Sequence, residues 1–225
     1  MTGKGMNEPH RMKGKETTDP VPLGVRLRER RRQIGLTLKD VADGVGLSVG
    51  FISQIERGIA SPSLSSLVAV TRVLGVDVGE FLSQPRIESP LTRHNERPVY
   101  AIGGNPMTYE RISASFPGAI LHSVIMHEPP GHRNPPITHE GEEIMFVLEG
   151  TITVELDGEI TILEKNDSIH FHSSRRHATW NHSDQPATIL WVGTMDVFGE
   201  HPATNETRAA GAAAHGSDKQ TKSDT

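Results

Sequence analysis

The chain has 225 residues, enough for one large domain or two small ones with separate cores. Its net charge of −5 gives no overall pull toward nucleic acid, and the lack of cysteine excludes disulfides, thiolate catalysis and Cys-ligated zinc. No apolar stretch approaches the roughly 18 residues of a membrane span, and residues 1–20 lack the apolar core of a signal peptide, so a cytoplasmic protein with no membrane contact is expected.

Residues 1–20 are polar and Gly/Lys-rich, and residues 201–225 are Ala/Gly/Ser/Thr-rich; both read as disordered tails that cannot bury enough surface to offset ordering. From 21 to 83 apolar residues recur at helical spacing between short turns. Leu23, Leu27 and Ile34 share one face of "LGVRLRERRRQIG", which Gly35 is placed to end. Thr37 heads "TLKDVADGVG" with Asp40 three residues on, a variant of the capping box. Ser48 caps "SVGFISQIERG", Pro62 opens a fourth helix carrying Leu64, Leu67, Val68 and Leu74, and Asp77 with Glu80 predicts a short fifth. The expectation is an all-α five-helix domain.

Its second and third helices, joined by a turn at Gly46, form a helix-turn-helix pattern, in which the second helix of the pair enters the major groove of double-stranded DNA. Val49, Gly50, Ser53 and Gln54 are the expected exposed positions of that helix. Gln54 can pair bidentately with adenine, and Ser53 can donate or accept at several base edges. Thr37, Lys39, Ser48 and Arg57 complete the candidate DNA-binding set, with Thr37, Lys39 and Arg57 placed for phosphates. Between Val21 and Ala60 there are seven Lys/Arg against four Asp/Glu, a local basic excess that suits phosphate contacts. The motifs "GLTLKDVA", "GLSVGFISQIERG", "SPSLSSL" and "RVLGV" resemble the Xre, or lambda-repressor-like, helix-turn-helix family. Val49 and Gly50 stand where that family often has longer polar base-readers, so part of the specificity is expected from DNA shape.

Residues 84–98, rich in proline and charge and without periodicity, read as a linker. From 99 to 200 the pattern changes to short β-type runs: 107–112, 120–126, 143–148, 151–156, 160–163, 168–171, 178–180 and 188–193. "TITVELDGEITIL" reads as a hairpin about Asp157-Gly158. This is the pattern of a sandwich or double-sheet jelly roll.

Two stretches, "GHRNPPITHEGEEIMFVLEG" and "NDSIHFHSSRRHATWN", resemble the cupin family. Gly131, Ile137, His139, Glu143 and Gly150 occupy the places of the first cupin pattern, with Ile137 standing where a histidine is usual. His177 and Asn181 match the second, while Asn166, His172 and Ser174 replace its customary Gly, Pro and Gly. The resemblance implies that His139 and Glu143, which share a strand face by parity, converge with His177. Two imidazoles and one carboxylate form a facial triad suited to a divalent metal, Fe foremost, with Mn, Ni or Zn as alternatives. The same residues could instead hydrogen-bond an effector directly. Parity places Met145, Val147, Thr179 and Asn181 on the pocket side, and Arg111 is a candidate anchor for a carboxylate effector.

The joined layout resembles bacterial transcription regulators with an Xre-type reader and a C-terminal cupin. It implies a sequence-specific DNA-binding regulator, dimeric through the cupin, that reads an inverted-repeat operator and answers to a small molecule. The layout also resembles epoxidase-like non-heme iron cupin oxidoreductases, which keep a helix-turn-helix-like domain for assembly. The basic helical face and the lack of a further acid, base or nucleophile favour the regulator, which is no enzyme.

Overall fold

The computed structural model describes residues 21–82 and 87–199, so the two tails expected at 1–20 and 201–225 lie outside the described residues. The helical part comprises α1 (Leu23–Gln33), α2 (Leu38–Val45), α3 (Val49–Glu56) and α4 (Leu64–Val73). Four helices replace the five expected: Val78–Glu80 makes only a single 3₁₀ turn, with the Asp77 carboxylate accepting from Gly79 N–H. Thr37 and Asp40 form the full reciprocal capping box at α2, while Ser48 caps α3 and Ser63 caps α4. The core packs Leu27 from α1 against Val41, Ala42, Ile52, Ile55 and Leu67. Gly24 lets α1 lie on the end of α3, because a Cβ there would come within 2.2 Å of the Ile55 carbonyl oxygen.

Ile34 does not join the buried face of α1; it sits at the C-cap, 37 % exposed. The basic excess of this region is also partly structural. Arg31 makes two hydrogen bonds to buried Glu56, Nε–Oε1 at 2.5 Å and Nη2–Oε2 at 2.9 Å, and a third to Leu36 O. Arg30 donates to Leu74 O, and Arg26 to Glu80 O while lying over the Phe81 ring. Arg28, Arg32, Lys39 and Arg57 are the exposed cations of this region.

The β part holds β1 (Val99–Ala101), β2 (Thr108–Arg111), β3 (His122–Glu128), β4 (Glu142–Glu149), β5 (Ile152–Leu156), β6 (Glu159–Leu163), β7 (Ser168–His172), β8 (His177–Trp180) and β9 (Ala187–Gly193). Two antiparallel sheets form, β1-β2-β3-β9-β4-β7 and β6-β5-β8, in a jelly-roll-like arrangement. The second is extended by bridges from Arg133 to Trp180 and from Ile137 to His177. Asp157-Gly158 turns the β5–β6 hairpin, both residues at positive φ as a tight two-residue turn requires. β1 gave no sequence signal, since it is three residues long and half-exposed. Ahead of it, residues 87–98 carry one 3₁₀ turn (His94–Glu96), and Arg97 binds buried Glu110 on β2 at 2.8 Å.

The helical part rests on the β part. The Leu64 N–H donates to Tyr109 Oη (3.3 Å), and Asn105 Nδ2 to Pro62 O (3.3 Å). Gly199 passes so close to Asp77 that a Cβ would lie 1.7 Å from its Oδ1, so no other residue fits that crossing.

Candidate metal centre and nucleic-acid interface

His139 lies just before β4, Glu143 on β4 and His177 at the start of β8; their ligand atoms all fall within 4.8 Å of one another. His177 Nε2 is 3.2 Å and His139 Nε2 3.5 Å from Glu143 Oε1, and all three side chains are buried. The outer nitrogen of each imidazole faces a backbone oxygen: His139 Nδ1 lies 3.0 Å from Glu140 O and His177 Nδ1 2.8 Å from Arg175 O. A carbonyl only accepts, so each Nδ1 carries the hydrogen, and in the neutral ring each Nε2 turns a bare lone pair toward Glu143. Burial pushes His139 below the ordinary histidine range, against the opposing pull of the Glu140 carbonyl and the Glu143 charge, which favours that neutral ring. Glu143 Oε2 accepts from the Trp191 indole N–H.

These contacts are close but do not align as hydrogen bonds: Glu143 Oε1 and His139 Nε2 are buried with no partner. Three lone-pair atoms facing one point repel unless a cation sits among them. Adjacent ligands of a metal with bonds of about 2.1 Å stand roughly 3–3.5 Å apart, which matches the two distances to Glu143. The residues therefore fit a divalent cation. Trp191 and the two backbone carbonyls would orient the ligand atoms, as partners around metal centres do. Ile137 is buried beside the triad and offers no fourth ligand, leaving coordination positions open.

Glu143 and His177 of the triad border a cavity of about 50 Å³. Met145 and Thr179 line it as parity predicted, but three expected pocket residues do not. Val147 is fully buried and faces inward, yet it lies further along β4, paired with Ile189, whereas Met145 pairs with Trp191 beside the triad. Asn181 is committed to the backbone, its Nδ2 donating to Glu128 O and Gln185 O. Arg111 donates to Ser113 O and Ser115 Oγ and stacks over Phe198, outside the cavity lining. Tyr109, a weaker sequence candidate for the pocket, lines the cavity; Trp191 and Met107 also line it and were not singled out from sequence, although the strict alternation of "ATILWVG" carried a usable signal for Trp191. Three residues of the helical part, Ser63, Leu64 and Ser65, also line it, and nothing in sequence pointed to them.

The candidate DNA-binding residues lie on α2, α3 and their caps. α3 buries Ile52 and Ile55 and exposes Val49, Gly50 and Gln54, with Ser53 half-buried between them. The Thr37 and Ser48 hydroxyls are engaged as helix caps, so beyond those caps they offer a phosphate mainly the nearby helix amides. Lys39 pairs at 2.5 Å with Asp43, an exposed contact that a phosphate can displace. Arg57 is exposed at the end of α3, its Nε donating to Ser53 O.

Residues 27–81 match the family model described as Helix-turn-helix, and residues 124–193 the one described as Cupin domain. The HTH-type transcriptional regulator PuuR of Escherichia coli (strain K12) is 29% identical over 177 residues, which is 78% of this chain and 96% of that protein. The HTH-type transcriptional regulator SutR of the same strain is 25% identical over 169 residues, covering 72% of this chain and 89% of that one. Among solved structures, an HTH_3 family transcriptional regulator from Vibrio cholerae superimposes with a TM-score of 0.50 at 21% identity, covering 76% of this chain and 94% of that one, and so shares its fold.

Proposed function

The chain belongs to the Xre-type helix-turn-helix proteins with a C-terminal cupin domain, and on that premise we propose that it is a transcription regulator whose cupin senses a small molecule at the His139/Glu143/His177 centre. Its domains are the helical reader at 21–83, a linker at 84–98 and the cupin at 99–200. The observation that carries the reading is the free face of α3, where Val49, Gly50 and Gln54 stand exposed between Lys39 and Arg57 on a helix anchored by Ile52 and Ile55. Ser53 and Gln54 read base edges, and Thr37, Lys39, Ser48 and Arg57 set the frame on phosphates. A divalent metal at the triad would supply open positions for a donor atom of the effector. An iron oxidoreductase would share the triad, but the relatives matched along nearly their full length carry the names of regulators.

The second copy required by an inverted repeat has an available surface. On the outward face of the large sheet, Ile125 pairs with Leu190, Leu190 with Phe146, and Val192 with Ile144, an apolar patch whose members are half-buried or exposed in the single chain. An operator read by such a dimer would carry half-sites about 34–36 Å apart. Such a regulator acts in the cytoplasm, where its operator is. Titrating the protein onto DNA from its own upstream region, at several salt concentrations, tests the reading. Tight binding with a steep salt slope, weakened by about 1–3 kcal/mol in Gln54→Ala, is expected; affinity no better than for unrelated DNA would overturn it.

A further inference from the structure

The cavity is too small for the role assigned to it. About 50 Å³ holds three or four waters, a body of about four non-hydrogen atoms, against roughly 300–1,000 Å³ for ordinary small-molecule pockets. Yet Glu143, whose Oε1 is buried without a partner, is among its lining residues, and its walls are mostly apolar, with Met107, Val124 and Met145 among them. That combination suits a molecule with one polar head and an apolar body longer than the present space.

One wall can yield more easily than the others. The cupin strands are tied into continuous ladders, whereas one further part of the lining is the first turn of α4, Ser63–Ser65, contributed by the helical domain. This turn is held to the cupin by the hydrogen bonds of Leu64 to Tyr109 and of Asn105 to Pro62, both 3.3 Å; further out the domains also meet at the exposed Arg72–Glu140 pair, 3.7 Å, and where Gly199 crosses Asp77. Contacts between domains of one chain resemble transient interfaces, and an exposed pair of this kind contributes little.

We propose that the first turn of α4 is the movable wall of the cupin pocket, so that a one-headed, apolar-bodied ligand enters fully only by displacing the DNA-reading domain. This rests on the regulator reading and gives it a physical link. Pocket occupancy and the placement of α3 become two consequences of one contact, and the ligand acts because it binds the displaced arrangement better.

A reversible crosslink tests it. A Cβ built on Gly103 lies 3.9 Å from Ser61 Cβ, within disulfide range; the φ of 59° there strains a cysteine modestly, and the chain has no native cysteine to interfere. Ser61→Cys/Gly103→Cys therefore pins the helical domain to the cupin when oxidised and frees it when reduced. In a Trp180→Phe background, Trp191 in the pocket wall becomes the only indole and reports occupancy. The probes are straight-chain carboxylates from acetate to octanoate with Zn²⁺ present, and straight-chain alcohols from ethanol to octanol without it. In the reduced protein, affinity should rise about fourfold per added methylene in at least one series. In the oxidised protein that rise should stop after the first few carbons and return on reduction.

Equal chain-length dependence in both redox states, or no length dependence in either series, would overturn the proposal. Leu64→Ala provides a check that needs no disulfide: by enlarging the cavity it should tighten butyrate or butanol binding severalfold, and unchanged affinity counts against the wall. DNA binding without any probe is scored separately. Its absence would defeat the regulator reading, whereas intact DNA binding with no effect of the crosslink on long probes would defeat this inference alone.

Discussion

In the helical domain Arg31 and Glu56 close on each other through two hydrogen bonds, whereas in the cupin Glu143 lies at least as deep with Oε1 facing two imidazole nitrogens and no donor. The first arrangement is complete within the chain. The second is a set of acceptors that still lacks something positive. The two sites thus handle buried charge in opposite ways, and the difference separates a polar group that holds the fold from one that awaits a ligand.

Breaking the closed pair should produce the largest effect. Arg31→Ala leaves the Glu56 carboxylate buried without its partner, a change that typically costs about 3–5 kcal/mol. Urea denaturation should show the helical domain unfolding well before the unmodified protein does, with little change in cupin signals. Arg32→Ala, one residue away and exposed, should leave stability within about 0.5 kcal/mol. Similar loss in both variants would mean that Arg31 is not held as the structure shows.

The open set should respond to ligand orientation more than to fold. Trp191 donates to Glu143 Oε2 and so aims the other oxygen at the triad. Trp191→Phe keeps the aromatic bulk and removes the donor, and metal affinity should fall about 10- to 100-fold. His177→Ala should abolish stoichiometric metal outright. Metal content by mass spectrometry and competition with a chelator of known affinity check both, with circular dichroism confirming the fold. Unchanged affinity in Trp191→Phe would show that Glu143 is positioned by something else, and a metal-free unmodified protein would leave the centre to an organic ligand.

How much of this could be read in advance follows from the range of each interaction. Caps were legible because Thr37–Asp40 and Ser48–Phe51 act within three residues. The triad was legible because His139 and Glu143 fit a motif and an even strand spacing, and His177 fits the matching second motif. Parity gives the face of a strand but not the position along it, so Val147 was expected at the cavity and Met107 was not. Arg31 looked like one more surface cation because its partner lies 25 residues away, and only the packing of α1 on α3 reveals the pair. The α4 wall had no local signal at all: Ser63–Ser65 read as an ordinary helix start, and its second role exists only where two domains meet.

A sharper contrast between the two regions comes from base readout, which should depend on the exposed side chains of the helical domain. The Gln54 side chain is exposed on α3, while its carbonyl, which accepts from Ile59 and Ala60 N–H, is kept in an alanine variant. Gln54→Ala should weaken operator binding by about 1–3 kcal/mol without lowering stability, and should relax preference at one base pair. Arg32→Ala, if its guanidinium meets phosphate, should lower affinity uniformly across sequences and reduce the salt slope by about one. Loss of stability in Gln54→Ala, or an unchanged base preference, would remove Gln54 from the reading face.

The smallest effect concerns a second buried acid in the cupin, one that is half closed. Glu128 is 1 % exposed; its Oε1 lies 3.0 Å from His132 Nδ1, while Oε2 has no partner. Burial raises its pKa above the ordinary glutamate value, and the His132 contact only partly opposes the rise. The folded chain therefore keeps a proton that the unfolded chain releases. Its stabilising share is fully present below the ordinary glutamate value and is lost as pH climbs through the raised folded value. Glu128→Gln retains the shape and cannot ionise, so the fall in stability across that window should flatten while stability at lower pH changes little. Denaturation midpoints taken from acid to neutral pH for both proteins decide the matter. Parallel curves would mean that Glu128 stays charged in the fold, balanced by His132 as fully as Glu56 is by Arg31, and the contrast between the two regions would then belong to the triad alone.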